Sequence, residues 1–417
     1  MILGPVQGVD CVVYVFFLIP QLLWQIDFSL LLLVLIKVIP FLVFRLPHQL
    51  LKERYFTRKQ SQSPFTRNAS IFQDVVVRCV RYAFANIPAR VGRVFFCKWV
   101  SYPFFRFRLL RHGYLRCPMY YKEIIQPGFR GLWIVDNPDT EPDIIIYYCH
   151  GGGFSMGSSH FYMEFLMTWV TRLKESGFQN PAVFALEYTL VPDAQWPTQL
   201  NETRAGYTFL HETFGNGSAA KICVSGDSAG ATLILSMLLQ PGTVEQNQRA
   251  QRWHRPGLAI LLSPWTHLVS DLNQNTPSDY LNKDSLELYA KQYAGDAALT
   301  DGVVSPGMST TRWKQVSPPN GYRIVYGAEE VFSPGIQETI QRMENNGAMV
   351  KAHRRETGIH AWPVVNLFLG NTREDRLQGL DIMTEFIMSS SLASSVSADT
   401  RTRSCLATPL HVRMPSD

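Results

Sequence analysis

The chain has 417 residues, 46% hydrophobic and only 18% charged, with seven cysteines and a net charge of +5. The charged share lies below the roughly 25% of ordinary soluble domains, which points to contact with lipid, and the absence of any CxxC pair argues against a zinc or dithiol site. The charge is uneven. Residues 45–122 hold sixteen Lys/Arg against two Asp/Glu, a net of +14, and leave −9 to the remainder. Such a band suits an anionic membrane surface or a solvated arginine-rich face, while no nucleic-acid-binding module accompanies it.

In chain order, two apolar runs come first, Cys11 to Leu23 and Phe28 to Phe44, parted by Gln25 and Asp27. Residues 1–46 are expected to form a permanent membrane anchor. The second run approaches the ~20 residues that span a bilayer. One tilted helix fits, as does a helical hairpin that enters and leaves one leaflet. No basic residue precedes Lys37, so a cleaved signal peptide fits less well. The basic residues Arg45, Lys52, Arg54, Arg58 and Lys59 place the following domain in the cytosol by the positive-inside tendency. Three sequons, Asn68-Ala-Ser, Asn201-Glu-Thr and Asn216-Gly-Ser, point to the opposite, glycosylated side. Residues 47–66 read as a polar linker. Residues from about 67 to 130 read as helical and aromatic, broken at Pro103 and Pro118.

Short β-rich runs then alternate with helical stretches, the pattern of parallel βαβ units. The expected strands are Ile144–Tyr148, Val183–Tyr188, Ile222–Ser225, Leu258–Leu262, Arg323–Tyr326 and one near Val350–His353. The fold class is therefore α/β with a mostly parallel central sheet. Residues 266–300 interrupt the series with a polar, partly helical insertion. Residues 389–417, rich in Ser and Thr, are expected to be a disordered tail.

Two motifs carry chemistry. Gly226-Asp227-Ser228-Ala229-Gly230 joins an expected strand to an expected helix. At such a junction GxSxG is a nucleophile elbow, a sharp turn that lifts the Ser228 hydroxyl clear of the sheet. Gly226 and Gly230 let neighbouring segments pass close by, and the helix start favours negative charge. Upstream, His150-Gly151-Gly152-Gly153-Phe154 follows another expected strand. Successive glycines leave N–H groups bare, as an oxyanion hole needs. The expected donors are Gly152, Gly153 and Ala229, with the His150 ring tying down the loop. A phosphate cradle would want a following GK[ST] or a GxGxxG, and neither is present.

HGGG followed by GDSAG resembles the hormone-sensitive-lipase branch of the α/β-hydrolases over about residues 140 to 385. Tyr188-Thr189-Leu190-Val191-Pro192-Asp193 is similar to that family's YRLAPE segment, and Trp196-Pro197 and Ser263-Pro264-Trp265-Thr266 fit as well. The resemblance implies a Ser–acid–His triad on an α/β-hydrolase fold, with no cofactor and no metal. In Gly327-Ala328-Glu329-Glu330-Val331-Phe332, Glu330 matches the family aspartate, with Glu329 as its rival. His360, in Gly358-Ile359-His360-Ala361-Trp362, matches the family histidine. His353 reads as structural, and His160 as a helix-start or pocket residue. The resemblance also places a cap at 67–130 and 266–300, within a hydrolase domain spanning 67–388. An anchor, HGGGF and the acid loop together resemble fungal steryl acetyl hydrolases. That implies a deacetylase of a sterol or another lipophilic alcohol, at the endoplasmic-reticulum membrane with its domain in the lumen. An acyltransferase would share every motif, and a non-catalytic hydrolase-fold receptor is the remaining alternative.

Overall fold

The computed structural model describes residues 1–214, 221–240, 254–310, 312–390 and 392. The strands are β1 Tyr120–Gln126, β2 Phe129–Val135, β3 Ile145–Cys149, β4 Ala182–Leu186, β5 Ile222–Asp227, β6 Leu258–Leu262, β7 Tyr322–Gly327 and β8 Val350–Arg355. They form one sheet in the order β1-β2-β4-β3-β5-β6-β7-β8. β2 runs antiparallel to both of its neighbours, and β3 to β8 are mutually parallel.

The central strands are apolar throughout because both faces of the sheet are covered. Along β3, Ile145, Tyr147 and Cys149 enter one core, while Ile146 and Tyr148 enter the other. The first face is closed by helices Thr198–Phe214, Ala229–Leu239 and Ser333–Asn345. Met163–Glu175 and Arg373–Met388 close the second. Every residue of Ala229–Leu239 is buried, so this helix is apolar on all sides.

The structure departs from the sequence expectations in three places. The helical stretch expected to run to residue 130 ends at Arg111, after helices Ile71–Asn86, Ala89–Phe96 and Lys98–Arg111. Residues 120–130 instead enter the β1–β2 hairpin, turned at Gly128 with φ +87°. Its aromatic and β-branched residues extend the sheet, with β1 at the edge and β2 paired to β4, so this part of the expected cap belongs to the sheet.

Residues 47–66 are largely helical, because the second apolar helix continues as Phe28–Phe56. Arg54 fastens it, donating to the Ala69 carbonyl at 2.8 Å and lying 3.1 Å from the Asp74 carboxylate. Residues 1–7, placed in the anchor by composition, lie against the catalytic domain. The Leu3 and Gly4 carbonyls accept from Arg376 (2.6 Å) and Arg108 (2.7 Å). The expected tail falls almost wholly outside the described residues, as does the Asn216 sequon; Ser389 and Ser390 merely close the last helix.

Candidate active site

The expected site residues sit on loops at the C-terminal ends of β3, β5, β7 and β8. Ser228 follows β5 directly, with φ +52° and ψ −120°. A non-glycine residue in this region is strained, and its neighbours hold it there. Its N–H donates to the Leu262 carbonyl at 2.9 Å, and its own carbonyl accepts from Thr232 (3.2 Å) and Trp265 (3.3 Å). The flanking glycines are sterically required. A Cβ on Gly226 would lie 2.7 Å from the Cys149 carbonyl oxygen, and one on Gly230 only 2.0 Å from it.

The glycine loop after β3 wraps over this turn. Gly152, Gly153 and Phe154 all have positive φ, at 115°, 60° and 60°. A Cβ on Gly152 would meet the Met156 carbonyl at 2.1 Å. The backbone N–H groups of Gly152, Gly153 and Ala229 make no hydrogen bond among the described residues. The His150 ring stacks on Tyr188 at 4.4 Å, and its Nδ1 lies 2.8 Å from the Gly151 carbonyl. Tyr188, from the YTLVPD segment, donates to the His150 carbonyl at 2.9 Å. Gly151 approaches Asp227 so closely that a Cβ would come within 2.2 Å of its carboxylate.

Asp227 joins the two motifs. Its Oδ1 accepts from the Gly151 N–H (2.8 Å) and the Tyr148 hydroxyl (2.8 Å), and its Oδ2 from the Tyr162 hydroxyl (2.7 Å). Burial raises the pKa of its carboxyl, while the Tyr162 and Tyr148 hydroxyls pull it back down.

His360 and Glu330 are paired, with Nδ1 3.0 Å from Oε2 and both side chains almost fully buried. Burial pushes the Glu330 carboxyl up to about 8, against the hydrogen bonds of Ser263, Gly327 and Ala361. Burial also lowers the pKa of His360, opposed by the charges of Asp279 and Asp227. Phe332 and Tyr280 meet the imidazole edge-on, at 5.1 and 5.8 Å between centroids. Glu329 is elsewhere, its carboxylate accepting from the Ser278 hydroxyl at 2.9 Å. His160 lies 3.2 Å from Glu123 on β1, and His353 packs near Trp362.

Two further residues organise the pair. The Ser263 hydroxyl accepts from the Ala361 N–H at 2.9 Å. The buried Asp279 accepts from the N–H groups of His360 (3.1 Å), Val331 (2.8 Å) and Tyr280 (2.8 Å), joining the histidine loop to the acid loop. Burial raises the pKa of its carboxyl, opposed by His360 and the Val331 N–H. Asp279 carries no signal in the sequence, because it lies in a polar insertion with neither periodicity nor motif. Over the glycine loop lies helix Lys283–Ala294, with Tyr293 stacked on Phe154 at 3.7 Å. Arg81 and Phe84 from helix Ile71–Asn86 meet the same insertion. Arg81 donates to the Asp279 carbonyl at 2.6 Å, and the Phe84 carbonyl accepts from Ser285 at 2.7 Å.

The profile of the α/β-hydrolase fold family matches residues 146–364, just over half of the chain. The chain belongs to this family. Its place is the hormone-sensitive-lipase branch, a group of carboxylic ester hydrolases. Esterase LipI of Mycobacterium tuberculosis is 22% identical over 244 residues, 56% of this chain and 70% of that protein. The Schizosaccharomyces pombe protein mug81, provisionally named a steryl acetyl hydrolase, is 26% identical over 219 residues, 49% of this chain. That match spans 55% of mug81, so the chain covers little more than half the length of its fungal relative. The crystal structure of an esterase from the bacterial hormone-sensitive lipase family superposes with a TM-score of 0.60 at 20% identity. It covers 77% of this chain and 98% of that structure, a likeness of fold.

Proposed function

We propose that the chain is a serine esterase with Ser228 as nucleophile, His360 as general base and acid, and Glu330 as the orienting carboxylate. The observation that carries the reading is the buried His360–Glu330 pair, on the same sheet edge as a strained serine and three unengaged N–H groups. His360 takes the Ser228 proton as Oγ bonds to the ester carbonyl carbon. The oxyanion that forms is held by the N–H groups of Gly152, Gly153 and Ala229. Collapse breaks the bond to the alcohol oxygen, which leaves with the proton from His360. Water then repeats the sequence on the acyl-serine, releasing the acid and restoring the hydroxyl.

The substrate we propose is a short-chain ester, an acetate, of a lipophilic alcohol such as a sterol or terpenoid. The kinship with mug81 supports this, as does an aromatic cap built from helix Ile71–Asn86 and the insertion at 266–300. The two apolar helices support work at a membrane. The resemblance to steryl acetyl hydrolases favours the endoplasmic reticulum, with the exposed Asn68 and Asn201 as glycan acceptors.

The test is acetate release from a steryl acetate. Ser228→Ala is expected to abolish it, together with labelling by a fluorophosphonate; undiminished release by that variant would refute the triad. A preference for long acyl chains would refute the acetyl reading alone. Resistance to glycosidase would argue against the lumenal placement.

A further inference from the structure

The two apolar helices Gly8–Gln25 and Phe28–Phe56 carry apolar residues on two faces. One face packs on the protein: Leu18, Ile26 and Leu31 join Val91, Val94 and Val100 in a separate core. The other face is bare. Phe16, Ile19 and Leu23 on the first helix, and Leu35, Ile39 and Leu42 on the second, recur at helical spacing and are 44–70% exposed. A surface helix facing water carries polar residues there.

The same contacts fix how the helices meet a membrane. A helix of 18 residues is about 27 Å long, close to the ~30 Å hydrocarbon core. If Gly8–Gln25 crossed a bilayer, its far end would lie a membrane's width from the catalytic domain. That end is instead held to the domain. Ile26 is buried in one core with Val91 and Val94, and Asp27 lies 3.0 Å from Arg90. The helix bearing these partners, Ala89–Phe96, is joined to the catalytic domain at Asp193 by Arg93, and at Ser158 through the Phe96 carbonyl. Midway along the hairpin, Tyr14 donates to the Phe95 carbonyl and Tyr82 to the Lys37 carbonyl. At its start, the buried Asp10 lies 2.9 Å from Arg111.

We propose that the two helices form an in-plane hairpin that sinks its bare face into the near leaflet of an anionic bilayer and crosses no membrane. Residues 1–7 and the catalytic domain then lie on one side. The charge selects lipid over a second copy of the chain as occupant. Arg45, Lys52, Arg58 and Lys59 are exposed on and just beyond the second helix, within a band of net charge +14. That band is attracted to anionic headgroups and would repel itself in a dimer. Because Gly92 of the supporting helix faces Met156 on the glycine loop, the leaflet lies beside the loop that bears Gly152 and Gly153.

The experiment floats the full-length protein with preformed vesicles of phosphatidylcholine, with and without phosphatidylserine. Phosphatidylserine is expected to strengthen binding. Ile19→Glu combined with Leu35→Glu is expected to weaken it by about a hundredfold, leaving thermal midpoint and soluble-ester hydrolysis unchanged. Retained flotation by that variant would overturn the proposal, as would a salt-resistant dimer that does not bind vesicles. On bound protein carrying Asp27→Cys, a membrane-impermeant maleimide added outside is expected to label residue 27, read by peptide mass. Labelling only after vesicle lysis would overturn the in-plane arrangement in favour of a span. Neither readout requires the esterase reading, so the two can fail separately.

Discussion

Replacing Glu330 by glutamine separates what the buried carboxylate does for catalysis from what it costs the fold. Burial raises the Glu330 carboxyl from its ordinary 4.5 to about 8. At about 1.4 kcal/mol per pH unit, holding it ionised inside the protein costs about 5 kcal/mol. Glu330→Gln is therefore expected to stabilise the protein at alkaline pH, by up to about 5 kcal/mol. The sign follows from the direction of the shift: the folded state holds this proton more tightly than the unfolded chain. The Glu330 contribution is intact below about 4.5 and is lost as pH rises towards about 8, whereas the glutamine variant lacks that loss. Turnover should fall by about 10²–10⁴-fold, since an uncharged partner does not stabilise the imidazolium. Urea unfolding of both proteins from pH 5 to 9, with initial rates on a soluble acetate ester, measures both effects. A stability gap that does not widen with pH, or a variant with wild-type turnover, would refute the reasoning.

The wild-type kcat/KM should rise with pH through about 8, where Glu330 ionises while burial keeps His360 neutral; a plateau already reached at pH 6 would contradict this. Glu329→Gln should turn over at close to the wild-type rate, because Glu329 bonds Ser278 rather than His360; loss comparable to that of Glu330→Gln would move the acid by one residue. Asp279→Asn sets an amide against N–H donors and should lower kcat by about ten- to a hundredfold with KM little changed; steady-state kinetics separate this from a binding defect. Tyr162→Phe removes a donor to Asp227 and should cost about 1–3 kcal/mol of stability, seen as a lower urea midpoint.

Most of the sheet is legible in the sequence because β3 to β7 are buried, and short apolar runs betray them. The β1–β2 hairpin is not, because its strands mix Lys, Glu and Arg with aromatics and follow three helices of similar composition. Ser228, the glycine loop and His360 stand in motifs whose spacing reflects their backbone geometry, with glycine wherever a Cβ would collide. The acid is harder to read, since two adjacent glutamates differ only in which one faces the imidazole. Asp279 is invisible for a different reason: it acts through backbone N–H groups about 50 and 80 residues away in sequence, contacts that leave no local pattern. The docking of residues 1–7 is hidden in the same way, because its partners are main-chain carbonyls and arginines distant in sequence.

The triple acceptance at Asp227 has a consequence for how this enzyme can vary. Nucleophile and glycine loop come from different strands, yet the residue before Ser228 holds the N–H of Gly151. Their mutual alignment therefore rests on one side chain in addition to the direct pairing of β5 with β3. A change at position 227 removes that tie and leaves only the strand pairing to align the two halves. Directed evolution on this scaffold should accordingly fail to recover active clones altered at residue 227.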